Sequence, residues 1–474
     1  MTILVLAGDA GAAPYLKVEG ESMTDSTTTT EDFSSSGFSG TGYTIFQRDG
    51  TAYSWAKAKN AGWLRIRARS NGCQDGTYAH MNVLVGNAGT VFDQELTGNW
   101  TWYTTPAFVV DQTGTGSAYT IVAVTQYGGT GACTKQVRLD DIEFYVWRPF
   151  SPDSLWNQTA DGIASAPGTK TGIQSGTGAW LAPGQSGLDV GGCPPGSGCM
   201  QDRPFNKPIC FGESDQSGAS SATGPAQSLV KGNIAYTGQP IRLASPCGAA
   251  TGSDGHLAVT NSAGTFSYEW WRCVVAGTPC GPTVGYGVGT DGVVARWDLT
   301  GDGVANAGNA AAPTCCPDRS ARGSGTPLVS TVIRGEEAVN GIDHAIGCTI
   351  TDATGSSDVS TKYLYPPATN SDGGLASGGS RYGELYTLRS NFLTAHPTNP
   401  TRGQPWTTGE LNIIHALMDY GCYLVDRHGG FELDTDASTW TQAEWDEADV
   451  TKTGLSSIQP SDMQYRAIAG QTQY

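Results

Sequence analysis

The chain has 474 residues, with 44 Asp and Glu against 27 Lys and Arg, a net charge of −17 and a pI near 4.7. That balance argues against a nucleic-acid phosphate backbone as partner, and no apolar run of ~18 residues is present to insert into a membrane as a helix. With 65 glycines and only 15% charged residues, the composition suits many short strands and long turns, so the expected fold class is all-β with one or few helices.

The first residues, 1–14, resemble an export signal only briefly. They lack a basic start, and Asp9 interrupts the apolar run, so Ile3–Ala7 reads as a strand in a docking segment. Residues 15–148 read as one β-sandwich. Trp63-Leu-Arg-Ile-Arg-Ala-Arg69 alternates strictly, with Leu64, Ile66 and Ala68 on the core face and Trp63, Arg65, Arg67 and Arg69 on the other. Further strands are expected at His80–Val85, Ala118–Val124 and Val137–Val146, separated by Gly- and Thr-rich turns.

Four runs in this segment carry a family resemblance: Asn71-Gly-Cys73, Met81-Asn-Val-Leu-Val85, Trp100-Thr-Trp-Tyr-Thr104, and Cys133 ahead of Val137-Arg-Leu-Asp-Asp-Ile-Glu-Phe144. They resemble the calcium-dependent xylan-binding type of carbohydrate-binding module, and Val18-Glu-Gly-Glu-Ser-Met23 is similar to the first strand of related modules. The resemblance covers about 130 residues. It implies a jelly-roll sandwich, a Cys73–Cys133 bridge and a loop-borne calcium site. Such modules carry an Asp directly after the second cysteine, where this chain has Thr134, so Asp75 and Asp140 are the alternative ligands. Sugar binding in such modules rests on exposed rings. The candidates are Trp100, Trp102, Tyr103 and Tyr127, with core packing as the competing reading for each.

Two prolines in Trp147-Arg-Pro-Phe-Ser-Pro152 mark a junction, and residues 149–433 read as a larger, loop-rich, disulfide-containing β-sandwich. Twelve cysteines without a CxxC pair favour disulfides over zinc, and hence a setting outside the reducing cytosol. Long loops tied by Cys193, Cys199, Cys210 and Cys247 are expected before strands resume near Gly255.

The stretch Asp254–Trp271 reads as a β-hairpin around Asn261-Ser-Ala-Gly264. Alternation puts Asp254 with His256 on one face, and Glu269 with Trp271 on one face of the returning strand. If the faces coincide, carboxylates, an imidazole and an indole share a surface suited to sugar stacking and acid–base work. A sandwich hairpin with a hydrogen-bonded Asp–His pair fits the same residues. Asp298-Leu-Thr-Gly-Asp302-Gly303 opens like a calcium loop, yet Asn309 stands where an EF-hand needs Glu; a plain turn and a non-EF calcium loop both remain open.

In Ile342–Ile350, His344 heads an apolar stripe of Ile346, Cys348 and Ile350. The candidate catalytic set is therefore Asp254, His256, Glu269 and His344, with Glu336, Asp343 and Asp426 as further carboxylates. Thr407-Thr-Gly-Glu410 is a capping box before Leu411, Ile414, Leu417 and Met418, which predicts a helix ending at Gly421. Residues 434–474 read as an acidic strap or tail. Trp156-Asn157, Asp254-Gly-His256, Glu269, Gly341-Ile-Asp-His344 and Tyr420–Asp426 together resemble an uncharacterised family of exported bacterial proteins, a resemblance that implies no activity.

The whole chain is similar in architecture and N-terminal wording to minor tail proteins of actinobacterial phages. That resemblance implies a virion-tail or extracellular location, contact with host cell-surface polysaccharide and other tail proteins, and a homo-oligomer. The leading expectation is a tail protein that binds host glycan, with glycan cleavage (glycoside hydrolase or polysaccharide lyase) left open. The alternatives are a secreted polysaccharide-degrading enzyme with an appended binding module, and a purely structural tail protein. Calcium is the one expected cofactor.

Overall fold

The computed structural model describes residues 16–19, 24–25, 29–32, 43–46, 51–56, 62–71, 78–85, 89–105, 120–127, 136–146, 148–171, 189–190, 207–210, 221–222, 241–242, 255–261, 264–271, 274–275, 278–279, 293–304, 320–351, 359–372, 380–428, 431–436, 450 and 452–474. The chain divides into two compact units, Met1–Trp147 with Ser262–Gly264, and Arg148–Asn261 with Thr265–Tyr474. Most described residues lie in strands or loops, in keeping with an all-β fold that carries few helices.

The first unit has two antiparallel sheets. One runs Thr29–Asp32, Tyr43–Phe46, Gln136–Val146, Gly62–Asn71, Thr101–Thr104, with Leu16–Glu19 also paired to Gln136–Val146. The other runs Thr24–Asp25, Thr51–Ala56, Thr120–Tyr127, His80–Val85, Gly89–Glu95. The alternation of Trp63–Arg69 is realised: Leu64, Ile66 and Ala68 are fully buried, as are Met81 and Val83 of the other sheet. Phe92 meets Tyr103 edge to face across the two sheets, with centroids 5.8 Å apart, which makes the pair of sheets a sandwich. A bulge between Leu139 and Asp141 inserts Asp140 as an extra residue. Ile3–Ala7, Asp75, Cys73 and Cys133 lie outside the described residues.

The second unit is built on a seven-stranded mixed sheet. Its order is Ala164–Thr171, Met463–Ile468, Leu385–Leu388, Cys422–His428, Ile346–Thr351, Glu432–Leu433, Asp189–Val190. Within the stretch 434–474, expected to be a strap or tail, Met463–Ile468 is paired on both sides as an inner strand. Met463 and Ile468 are buried at the two ends of the strand, and Met463 belongs to the unit's apolar core. The helix predicted after Thr407 is Thr408–Asp419, with the Thr407 hydroxyl accepting from Glu410 N and the Glu410 carboxylate accepting from Thr407 N. Its Ile413, Ile414 and Leu417 join Ile346, Cys348, Leu424, Tyr386 and Met463 in one apolar core. Gly421 follows at φ 78°, where an added Cβ would stand 2.5 Å from Tyr386 O, so only glycine lets the chain turn directly into Cys422–His428. Cys348 and Cys422 form a disulfide between two adjacent parallel strands.

A separate four-stranded sheet of the same unit runs Ile209–Cys210, Leu257–Thr260, Phe266–Trp271, Val293–Asp298. Leu257–Thr260 and Phe266–Trp271 are the hairpin expected from the sequence. Cys193, Cys199 and Cys247, and the side chain of Cys210, lie outside the described residues.

Candidate functional site

In the first unit, the polar face of Gly62–Asn71 meets the strand that carries the two tryptophans. Arg67 pairs with Trp102 and Arg65 with Thr104, so Trp102 lies on the arginine face, away from the buried Leu64, Ile66 and Ala68. The Arg65 guanidinium stands 4.7 Å from the Trp102 ring centroid, and those of Arg67 and Arg69 stand 5.9 and 4.9 Å from that of Trp100. Each such stack is worth roughly 0.5–2 kcal/mol and fixes a ring's tilt. Both tryptophans are partly exposed. Acidic neighbours hold the arginines: Arg67 donates to Asp140 at 2.8 Å, and Arg65 lies 3.6 Å from Glu143. Trp63 stacks flat on Tyr145 at 4.0 Å beside them. The outer face is thus a sheet-borne platform of indoles interleaved with guanidinium groups.

Tyr103 does not belong to it. It occupies the opposite side of its strand and is buried; its hydroxyl accepts from Thr97 N and donates to Thr97 Oγ1. Alternation forces this, because its two tryptophan neighbours face outward. Tyr127 ends the strand Thr120–Tyr127 opposite His80, and its side chain lies outside the described residues.

In the second unit, Ala258 pairs with Glu269, so His256 and Glu269 share a sheet face, as alternation requires. Trp271, two residues after Glu269, shares it and is partly exposed. Asp254 lies outside the described residues. The shared face is an interior one: Glu269 has no exposed surface and His256 is 2% exposed. Both Glu269 oxygens are engaged, accepting from Leu328 N at 2.6 Å and Val329 N at 3.0 Å. Burial pushes its carboxyl up to about 7, against the pull of those two N–H groups and of Arg322. His256 Nε2 donates to Ala321 O at 2.8 Å, since a carbonyl only accepts, and Nδ1 then receives Lys207 Nζ at 3.1 Å. Burial, with Lys207 and Arg322 nearby, holds its pKa well below the ordinary imidazole range. His256 is a neutral, fully engaged side chain, and Glu269 anchors a loop; neither is free to attack a substrate.

The groups around them form a charged cluster. Arg322 is buried and held by Thr331 Oγ1, which accepts from Nε at 3.1 Å and from Nη2 at 2.5 Å. Its Nη1 donates to Asp434 Oδ2 at 2.5 Å and stands 3.7 Å from Asp426 Oδ2. Asp426 comes from the strand Cys422–His428 and Asp434 from just beyond Glu432–Leu433. Asp372 completes a trio of carboxylates, accepting from the Tyr382 hydroxyl at 2.6 Å and lying 3.4 Å from Arg427. Burial pushes the Asp426 carboxyl up to about 6; Lys207 and Arg322 oppose this, while Asp372 and Asp434 reinforce it. Asp426 alone among these had been singled out from the sequence. Arg322, Asp372, Tyr382, Asp434 and Lys207 carry no local motif, and Arg322 and Asp434 meet across a separation of 112 residues.

His344 lies in a different cluster. It is buried, with Nδ1 at 2.9 Å from Ala345 O and Nε2 at 2.9 Å from Glu337 Oε1, and Glu337 also pairs with Arg334. Burial raises the Glu337 carboxyl, but Arg334 and His344 outweigh it and hold it at about 2. His344 therefore faces an ion pair inside the protein rather than a cleft.

The proposed metal ligands are likewise engaged. Asp140 is buried against Arg67. Asp298 Oδ1 accepts from Thr300 N and Oγ1, and Asp302 Oδ1 accepts from Val304 N, which is turn-capping geometry. Among the described residues no group of three or more His, Cys, Asp or Glu is arranged to hold a metal ion.

No family model matches the chain, and no curated protein matches it. Solved structures that align with it include a family 35 carbohydrate-binding module from Clostridium thermocellum, at 17% identity over 29% of this chain and 100% of that one, with a TM-score of 0.23. The carbohydrate-binding module CBM36 in complex with calcium and xylotriose aligns at 18% identity over 27% and 98%, TM-score 0.20. CBM35 from Paenibacillus barcinonensis aligns at 18% identity over 28% and 99%, TM-score 0.21.

Proposed function

We propose that the chain binds a cell-surface polysaccharide through the outer sheet face of its first unit, with Trp100 and Trp102 as ring platform. The observation that carries this reading is the pair of partly exposed indoles on one face, each backed by guanidinium groups 4.7–5.9 Å from its centroid. An indole face matches a pyranose face, and the arginine N–H groups around it suit sugar hydroxyls. Retention of the full chain on insoluble arabinogalactan and on xylan is the test. Trp100→Ala and Trp102→Ala are each expected to weaken retention about tenfold, which corresponds to ~1.4 kcal/mol. Wild-type protein passing through both matrices unretained would sink the proposal and favour a purely structural role.

The setting we infer is the tail of a phage at its host's wall, with other tail proteins and further copies of the chain as neighbours. A β-rich chain with a Cys348–Cys422 disulfide suits a surface outside the reducing cytosol. Mass spectrometry of purified virions tests this, whereas a secreted polysaccharide-degrading enzyme would be found in culture supernatant. Calcium dependence, implied by the sequence resemblance, is tested in the same retention assay: retention and melting unchanged by a chelator would remove it.

A further inference from the structure

The four-stranded sheet of the second unit has another face, opposite the one that holds His256 and Glu269. Alternation along Phe266–Trp271 places Phe266, Tyr268 and Trp270 on it. Their rings follow one another along the strand: Phe266 meets Tyr268 edge on at 5.6 Å, and Tyr268 lies 6.3 Å from Trp270. Trp270 is buried, as are Leu257 and Val259 of the neighbouring strand, whereas Phe266 and Tyr268 are partly exposed. The open part of this ladder is therefore its Phe266 end.

Arg296, on the strand Val293–Asp298, pairs directly with Tyr268 and so shares this face. Its guanidinium stands 4.4 Å from the Phe266 ring centroid and 5.8 Å from that of Tyr268, and the side chain is partly exposed. Its charge balance sets it apart from the first unit's arginines. Arg65 and Arg67 have Glu143 and Asp140 at 3.6 and 2.8 Å. Among the described residues no carboxylate pairs with Arg296, and its buried Nε has no hydrogen-bond partner. Asp298, across from Phe266, is turned to Thr300, whose N and Oγ1 both donate to Asp298 Oδ1. A ring face attracts the guanidinium charge but does not accept its N–H groups as an anionic oxygen would. A cation is thus fixed on two rings with its acceptors missing, and leaving such donors unmet is costly.

We propose that this face is a second glycan platform and takes an anionic polysaccharide: a sugar lies against Phe266 and Tyr268, and its acidic group is received by Arg296. Ring faces suit the apolar face of a pyranose, and the forked guanidinium matches a planar carboxylate or a phosphate. A uronate and a phosphodiester present that fork with the same chemistry. The site is separate from Trp100 and Trp102 and does not rest on their role. The net charge of −17 repels a polyanion at long range, but at 0.15 M salt that field is screened beyond about 8 Å, and contact at Arg296 decides.

The test passes the full chain at 0.15 M salt over immobilised polygalacturonate, a phosphodiester-linked wall teichoic acid, and poly-glutamate as an anion without sugars. Wild-type protein is expected to be retained on one of the two glycans, which identifies the acidic group, and to pass through poly-glutamate. Arg296→Gln and Tyr268→Leu are each expected to weaken retention about tenfold while melting near the wild-type temperature, the size of one lost charge-assisted hydrogen bond. Arg296→Lys, which keeps the charge and gives up the fork, is expected to fall between wild type and Arg296→Gln. No retention on either glycan, equal retention on poly-glutamate, or undiminished retention of Arg296→Gln or Tyr268→Leu overturns the proposal. Loss in Trp100→Ala and Trp102→Ala with Arg296→Gln unaffected moves the acidic glycan to the first unit and sinks this inference. Retention on an acidic glycan that depends on Arg296, by a protein that passes unretained through arabinogalactan and xylan, sinks the first-unit reading and leaves this one standing.

Discussion

At the scale of single residues, the buried ion cluster around Glu337 is the sharpest case. Glu337 does two jobs. One oxygen accepts from Arg334 N at the start of the short helix Gly335–Asn340, and the other takes the Arg334 guanidinium and His344 Nε2. His344 Nδ1 lies 2.9 Å from Ala345 O and Nε2 lies 2.9 Å from Glu337 Oε1. A carboxylate held in its charged form thus sits between a guanidinium and an imidazole inside the protein. Replacing Glu337 with Gln leaves both facing an amide, which is expected to cost about 3–5 kcal/mol, read by urea denaturation. A cost below ~1 kcal/mol would mean that solvent reaches the cluster. The sequence showed His344 only as a polar head on an apolar stripe. Its partner Glu337 was invisible there because what joins them is the turn between helix and strand, not a spacing.

At the scale of elements, what could be read from the sequence was local and what could not was long-range. The capping box at Thr407 and the alternation of Trp63–Arg69 specify their elements within a few residues, and both formed as read. Thr407→Ala should cost about 1 kcal/mol through the lost bond to Glu410 N, measurable as a lowered denaturation midpoint with an unchanged slope. Parity along each strand of the hairpin was legible too, but the register that pairs Ala258 with Glu269, and so puts His256 and Glu269 on one face, was not; which face met the interior was decided by the loop at Leu328 and Val329, which the hairpin's own residues do not announce. Disulfide pairing was less accessible still. Cys348 and Cys422 are joined because two strands 74 residues apart run parallel side by side. In the chain-entropy account, closing a loop of that length stabilises by ~4 kcal/mol. Melting with and without reductant checks this: reduction of that bond is expected to lower the transition by several degrees, and Cys348→Ala paired with Cys422→Ala should reproduce the drop without reductant.

At the scale of the whole molecule, the buried carboxyls set an unusual pH dependence. Glu337, held at about 2, keeps its charge in the fold where the unfolded chain would take a proton. Its stabilisation is present above the ordinary carboxylate value and is lost as the pH falls toward 2. Glu269 and Asp426 act with the opposite sign. At about 7 and about 6 they hold protons that the unfolded chain releases in the ordinary carboxylate range, so stability drains away as the pH rises from there. His256, held well below its ordinary value, partly offsets this, because below that value the unfolded chain gains a proton there that the fold refuses. Two protons held against one refused leave the fold favoured by acid between roughly pH 4.5 and 6, on the order of 1 kcal/mol per pH unit. The net charge of −17 works in the same direction, since mutual repulsion eases as the chain approaches its pI near 4.7. The melting temperature is therefore expected to peak between about pH 4 and 5 and to decline toward neutrality, unlike the usual broad maximum at pH 5–8. Glu269→Gln, which cannot ionise, should flatten the decline between pH 5 and 7 while leaving the acid limb in place. A wild-type maximum at pH 7, or a Glu269→Gln profile with the full decline, would show that burial does not hold a proton on Glu269 in mild acid.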